Sequence, residues 1–394
     1  MANPKTSGRR GPRTALVLSG GGARGAYQAG VLMGLLEQGF VSEDVSSFDI
    51  LIGSSAGSIN SGLLGAFADQ FGRGVRTLTQ IWRNLEAKNV FRTDIASLGR
   101  IGVRWAWDLS FGGATRHVQP KALLDTAPLR KLLSSKVPFG RIDGNVERGA
   151  LRALAIPATD LYTSNGVLFV HAAPDLELWT RRRWSIERTR IQVDHLMASS
   201  AIPIFFPSVL IEGRHFGDGS IRNTAPLSHA INLGADRIVA VAVREPGKQS
   251  APPRRKGQGP PPTIAQIAGV LLDSVMLDAI EVDVEHSQRV NTSVIGCANE
   301  DGHAPFRYID VLWISPSQDF GQLAAELSER IPGVVRYLMR GLGSDDAVTE
   351  LASYLLFDTV YCERLIETGR ADVAAEHDRI AEFFAKVPAS ARVS

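Results

Sequence analysis

The stretch Leu51-Ile52-Gly53-Ser54-Ser55-Ala56-Gly57-Ser58-Ile59-Asn60 restricts the fold of this chain more than any other part of its sequence. The apolar run Ile50-Leu51-Ile52 halts at Gly53, and a helix-like run from Ile59 to Ala68 follows Gly57. Ser55 stands at the corner with a glycine two residues away on either side. G-x-S-x-G between a strand and a helix is the pattern of a sharp turn that holds a serine hydroxyl clear of the backbone. Such a corner forces unusual backbone angles on the serine, and small neighbours let strand and helix approach closely. The hydroxyl then lies at a helix N-terminus, where partial positive charge favours a developing anion. The same five residues also suit an ordinary glycine-bounded β-to-α turn, so their meaning depends on what else the chain supplies.

An earlier stretch has the same design. Thr14 to Leu18 reads as a buried strand, Ser19-Gly20-Gly21-Gly22-Ala23-Arg24-Gly25 as a tight loop, and Ala26 to Gln38 as a helix stopped by Gly39. Gly20, Gly22 and Gly25 spell G-x-G-x-x-G, which raises a dinucleotide-binding reading. That reading wants an acid at the C-terminal end of the next strand, and the chain has Ser54 and Ser55 there, with Glu43, Asp44 and Asp49 all earlier. A plain tight turn is the second reading. A third joins the two loops: in a parallel sheet both lie at the same edge, and bare backbone N–H groups of Gly20 to Gly22 can face the space above Ser55 as an oxyanion hole.

The alternation of strand, loop and helix argues for an α/β fold, a mainly parallel central sheet flanked by helices, with a helical C-terminal extension. Residues 1–13 read as a disordered basic tail and 14–245 as the catalytic domain. Residues 246–263, rich in Pro, Gly and basic side chains, read as a linker or loop. Residues 264–394 read as mainly helical, with a long helix over 264–290, one strand near 308–314 and an amphipathic last helix near 371–386. Further helices are expected over 122–133, 193–200 and 226–233. Strands are expected over 151–158, 167–171 and 237–243, with a hairpin across Glu212-Gly213. The formal net charge of +2 leaves no overall field to argue for nucleic acid. Cys297 and Cys362 form no metal or redox spacing and read as buried free thiols. The apolar run after Arg9-Arg10 is too short for a secretory signal, and no run is long enough for a transmembrane helix.

A serine nucleophile needs a base. Of eight histidines, His286 and His303 stand late enough in the chain for the usual order of a hydrolase triad. His286 falls in an acid-rich helical pattern and His303 in a polar loop, contexts that suit solvent better than catalysis. Asp218, in the turn Gly217-Asp218-Gly219-Ser220, is the other candidate.

Taken together, Gly20-Gly-Gly-Ala-Arg-Gly25, Gly53-Ser-Ser-Ala-Gly57, Ala198-Ser-Ser-Ala-Ile-Pro-Ile-Phe-Phe-Pro207 and Asp218-Gly219 resemble the patatin-like phospholipases in order and distance. The resemblance implies a Ser–Asp dyad without histidine. Ser55 would be the nucleophile and Asp218 the general base. Gly20, Gly21, Gly22 and Arg24 would form the oxyanion region, supported by Gly25, Gly53, Gly57 and Gly219. It implies hydrolysis of membrane-lipid esters of the phospholipase A or lysophospholipase type, with neither cofactor nor metal. Two positions depart from the family pattern: Ser220, where Gly or Ala is usual, and Ser19, where plant members often carry an acid. An ordinary aspartate is too weak a base for the task, so Asp218 must be close to Ser55 and desolvated.

The expected partner is a lipid ester at a membrane surface, and the expected location is the cytoplasm with peripheral membrane contact. Residues 91–113, with a helix capped by Asp94, fit core packing better than a lid. Arg181-Arg182-Arg183-Trp184 could meet anionic headgroups, but a charge run like this is more often an ordinary solvated face. A non-catalytic lipid-binding module remains the rival to the enzyme.

Overall fold

The computed structural model describes residues 12–92, 122–180, 182–245, 280–297, 306–333, 335–336 and 352–386. The readings placed on 1–11, on most of 91–113, on 246–263, on the first part of the 264–290 helix and on His303 lie outside these residues. In chain order, β1 (Thr14–Leu18) leads through the glycine loop to α1 (Gly25–Glu37). β2 (Ile50–Gly53) and α2 (Ala56–Ala66) follow, then α3 (Phe71–Arg83), α4 (Ala87–Val90), α5 (Ala127–Lys136) and α6 (Gly140–Glu147). β3 (Ala153–Asp160), β4 (Gly166–Ala172) and β5 (Trp184–Arg188) precede α7 (Val193–Ser199), the hairpin β6 (Val209–Ile211) and β7 (Arg214–Gly217), then α8 (Pro226–Asn232) and β8 (Arg237–Val241). α9 (Ile280–Cys297), β9 (Asp310–Ile314), α10 (Phe320–Glu326), α11 (Thr359–Ala375) and α12 (His377–Ala385) complete the order.

The strands form one mixed, mostly parallel sheet in the order β5-β4-β3-β2-β1-β8-β9, with β7 paired to the end of β3 and β6 paired to β7. β1 sits between β2 and β8, parallel to both, in registers that run from Ala15↔Ile50 to Leu18↔Gly53 and from Thr14↔Arg237 to Leu18↔Val241. The β3–β4 pair is antiparallel. Period-two alternation divides the buried strand residues between two cores. Leu16, Leu18, Leu51, Leu154 and Ile156 face α1, α2, α3 and α11 on one side. Ala15, Val17, Ile50, Ile52 and Ala153 face α8 and α9 on the other. Both faces are covered, so the central strands read as continuous apolar runs rather than alternating ones. Because β1 and β2 run parallel and in register, the loops after Leu18 and Gly53 emerge side by side at one edge.

Some boundaries differ from the sequence reading for identifiable reasons. The helix expected from Ala122 begins at Ala127, with Pro128 in its first turn. Leu123 and Leu124 instead donate their N–H groups to the carbonyls of Ile204 and Phe205, at 3.0 and 2.8 Å. The last helix is two, α11 and α12, broken at Glu376. The bend brings Phe384 onto Phe40, centroids 5.8 Å apart, and Phe383 under the Arg237 guanidinium at 4.1 Å. β5 lies where the arginine run masked a strand. β9 adds to the sheet beside β8, and Tyr27 of α1 donates to Asp372 of α11 at 2.9 Å. Among the described residues no helix is long and apolar enough to cross a membrane.

Candidate active site

Ser55 occupies the corner between β2 and α2 with φ 51° and ψ −123°. A non-glycine residue in this region is strained by roughly 1–3 kcal/mol, a cost that the packing around it must hold in place. Two flanking glycines allow the corner to exist. A Cβ on Gly53 would come within 1.9 Å of the Gly57 carbonyl, and one on Gly57 within 2.4 Å of the Leu18 carbonyl. The Ser55 N–H donates to Ser199 Oγ at 3.1 Å, and its carbonyl accepts from the Ser58 hydroxyl at 2.6 Å. Backbone and helix are thus pinned at the corner. Ser55 is 1% exposed.

Asp218 follows directly on β7 and caps the short turn Gly219–Ile221. Its N–H donates to the Ala201 carbonyl at 3.0 Å, and its carbonyl accepts from the Thr159 hydroxyl at 2.9 Å. Oδ1 accepts from the Ser220 N–H at 2.8 Å. Oδ2 is buried and has no hydrogen-bond partner among the described residues. Asp218 is 0% exposed, and this desolvation pushes its pKa from 3.8 up to about 6. The Ser220 N–H and the nearby hydroxyls of Ser55 and Ser220 pull in the opposite direction and lose. The Ser55 hydroxyl is therefore near enough to act on the carboxylate, although it does not close a full hydrogen bond to Oδ2.

The glycine loop lies against both. A Cβ on Gly20 would meet Ser220 Oγ at 2.5 Å and Ser55 Cβ at 3.1 Å. Gly22 has φ +55°, and a Cβ there would come within 2.2 Å of the Tyr354 carbonyl. The N–H groups of Gly20, Gly21 and Gly22 donate to no backbone carbonyl among the described residues. With Gly25 packed on Trp82 and Ala56, the glycine positions are filled by this chain's own atoms, where a dinucleotide would need open space for its pyrophosphate.

Arg24 is placed differently from the sequence expectation. Its backbone N–H closes the turn onto the Gly21 carbonyl at 3.0 Å. Its buried guanidinium donates to Ser353 Oγ through Nε at 2.8 Å and stacks over the Tyr354 ring at 4.2 Å. The side chain thus braces the loop from behind, engaged with residues 352–358. His286 is exposed on α9, which packs on the opposite face of the sheet.

A narrow apolar cavity of about 50 Å³ begins at Ser55 and Gly22. Its walls come from α2 (Ile59, Leu63), α3 and α4 (Leu78, Trp82, Val90) and α5 (Leu129, Leu133), with Phe206 and Phe357. Lys136 stands on the lining at the exposed end of α5. Trp82 is fixed there by its indole N–H, which donates to Asn60 Oδ1 at 2.9 Å. Two of these groups went unnoticed in the sequence, since Trp82 and Phe357 carry no motif; Ser199 lies in the segment Ala198 to Pro207 that carried the family resemblance, without a role assigned to it. Cys362 is buried, and burial pushes its thiol up to about 12, which makes it unreactive. Among the described residues, no cluster of His, Cys, Asp and Glu has the makings of a metal site.

A serine in a strained elbow, a buried carboxylate and a glycine loop at one sheet edge define a class of protein, and the sequence profile of the patatin-like phospholipases matches residues 16–231. The chain belongs to that family. It is 27% identical to the uncharacterized protein YjjU of Escherichia coli K12 over 237 residues, 58% of this chain and 51% of that protein. It is 24% identical to the uncharacterized NTE family protein Rv1063c of Mycobacterium tuberculosis, over 64% of this chain and 54% of that protein. The chain thus matches about half the length of these curated relatives. Among solved structures, VipD from Legionella pneumophila aligns over 77% of this chain and 61% of its own, at 13% identity and a TM-score of 0.33.

Proposed function

We propose that this protein is a serine acyl hydrolase that cleaves ester bonds of membrane lipids, of the phospholipase A or lysophospholipase type, through a Ser55–Asp218 dyad. The observation that carries the reading is the apolar cavity that begins at the strained serine. A buried hydrophobic slot of this size beside a nucleophile suits the first carbons of an acyl chain, with the ester carbonyl at its mouth.

Asp218 Oδ2 takes the proton as Ser55 Oγ attacks the carbonyl. A carboxylate with a pKa near 6 holds that proton better than an ordinary aspartate and is still ionised at neutral pH. The negative charge that develops on the carbonyl oxygen faces the N–H groups of Gly20, Gly21 and Gly22, and that of Ala56 at the first turn of α2. These donors are fixed by packing, so they need no reorganisation when the charge appears. Arg24 contributes by bracing the loop rather than by donating to the oxyanion. The protonated Asp218 then delivers its proton to the leaving alcohol. A water, deprotonated by the same carboxylate, attacks the acyl-Ser55 ester and frees the fatty acid.

The test is incubation with a mixed lipid extract followed by mass spectrometry, wild type against Ser55→Ala, together with labelling by a fluorophosphonate probe. The expected result is release of fatty acid and lysolipid by the wild type, labelling at Ser55, and a loss of roughly 10⁴-fold or more in the variant. Full activity of Ser55→Ala, or active wild type left unlabelled at Ser55, would sink the proposal.

A further inference from the structure

Leu161, His215 and Leu210 form one row across three neighbouring strands at the corner of the sheet that leads to Asp218. Leu210 is paired directly with His215 in the β6–β7 register. The Leu161 N–H, just beyond β3, donates to the His215 carbonyl at 2.9 Å. Phe216, the next residue on β7, points the other way and is fully buried, so the row lies on the outward side of the hairpin. Tyr162 extends it, its ring 6.0 Å from that of His215 and nearly perpendicular. His215 is itself held by Ser208 at 3.0 Å.

The row is exposed where it would ordinarily be covered. Tyr162 is 76% exposed, Leu210 58% and Leu161 47%. Single exposed apolar side chains are commonplace, but a contiguous group rimmed by charge marks a contact surface. Ile204 supports this from the adjoining segment. It is 55% exposed at φ 71°, a strained angle for a β-branched residue. It stands between Ile202 and Phe206, which both line the apolar cavity.

The rim supplies the sign of charge. The Gly166 N–H donates to the Arg183 carbonyl at 3.0 Å, which places Arg183 beside the turn that carries Tyr162. Arg182 and Arg183 are both exposed, and Arg183 has φ 62°. The nearby acids are mostly engaged. Asp160 is buried and accepts the N–H groups of Tyr162 and Thr163, while Glu187 is held by Arg214 at 2.7 Å. Glu212 at the hairpin tip is the exposed acid at the rim.

The geometry points to this corner as the face by which the protein seats on an anionic lipid bilayer. Tyr162, Leu161 and Leu210 enter the headgroup region, and Arg182 and Arg183 meet lipid phosphates. An aromatic ring with a polar tip and two aliphatic side chains fit the boundary between headgroup and acyl chain. Exposed arginines with no ion pair among the described residues fit its negative potential. The seat lies about three residues, or about 10 Å along the chain, from Asp218. Bound this way, the active-site edge of the sheet rests near the lipid from which an ester would be drawn. The inference concerns binding alone and does not require turnover.

Flotation of the full-length Ser55→Ala protein with vesicles tests it without hydrolysis. The vesicles are phosphatidylcholine alone, or phosphatidylcholine mixed with phosphatidylglycerol. The expected result is binding to the mixed vesicles that weakens with salt. Tyr162→Ala with Leu210→Ser should reduce it by about tenfold, and Arg182→Glu with Arg183→Glu should remove the preference for phosphatidylglycerol. Val282→Ser, an exposed apolar side chain on α9, should leave it unchanged. Thermal melts establish that the variants fold. In the Ser55 background, the same patch variants should hydrolyse a soluble short-chain ester at the parental rate. Vesicle binding that ignores the patch substitutions, or that falls equally with Val282→Ser, overturns the proposal. So does a patch that instead mediates self-association, lost with Tyr162→Ala in sedimentation. If vesicles bind but no lipid is hydrolysed, the seat stands and the catalytic reading falls.

Discussion

The hydroxyls of Ser54 and Ser220 lie 3.2 Å apart, joining the nucleophile elbow to the turn that carries Asp218. Both segments leave the sheet at the edge that carries the candidate site, and neither serine belongs to the proposed Ser55–Asp218 pair. Ser220 acts on Asp218 twice, through its N–H at 2.8 Å and through its hydroxyl, and both lower the carboxylate's pKa. Ser220→Ala keeps the N–H and loses the hydroxyl. The acid limb of kcat/KM, expected near the Asp218 pKa of about 6, should therefore move to higher pH, with Ser220→Thr restoring it in part. A pH–rate profile on a soluble ester decides the matter, and an unmoved limb would rule out this positioning role.

Asp218 also costs the fold something. Its carboxyl binds a proton more tightly when buried than in the unfolded chain, so stability falls as pH rises from 3.8 to about 6. Above that range the buried anion lowers stability by about 3 kcal/mol at most. Asp218→Asn should raise Tm at pH 8 and lose the advantage near pH 4, while abolishing turnover. Thermal melts across that range test it; a gain independent of pH would mean that the carboxylate's charge is not the cause.

Gly57 has no room for a methyl group, because the Leu18 carbonyl would lie 2.4 Å away. Gly57→Ala must separate β1 from α2 or leave the elbow. The expected outcome is a destabilisation of about 2 kcal/mol or more, with loss of fluorophosphonate labelling at Ser55. Denaturant unfolding together with the labelling assay measures both. Unchanged labelling would mean that the corner tolerates widening.

Ile59 lies one turn along α2 from Ser55 and lines the cavity. Its side chain is only partly buried, so Ile59→Phe should fold. The larger ring narrows the slot beside the nucleophile. Relative kcat/KM should fall by roughly tenfold for long-chain esters and change little for acetyl or butyryl esters. Equal losses across chain lengths would place the acyl group elsewhere.

Much of this site was legible in the sequence because its signals are local. Gly53-x-Ser55-x-Gly57 carries its own steric reason, and parallel pairing of β1 with β2 follows from two buried strands each leading into a helix. Asp218 was legible through its glycine neighbours, and its burial through the demand for a stronger base, but the groups that hold it, Thr159 and Ala201, were not. Arg24 was placed in the oxyanion region by the family resemblance alone. Its partners, Ser353 and Tyr354, lie 329 and 330 residues away, and no spacing rule reaches so far. β5 was hidden because its exposed alternation follows an arginine run. The break at Glu376 was hidden because both halves share a helical pattern, and only packing on Phe40 and Arg237 bends them apart.

The brace between Arg24 and residues 353–354 sets an order in time. A ribosome makes the glycine loop before its backing, which follows 329 residues later. Until Tyr354 has emerged, Gly22 has nothing to pack against, and the N–H groups that would hold the oxyanion have no fixed aim. A nascent chain carrying Ser55, Asp218 and most of the sheet thus still lacks the backing of its glycine loop.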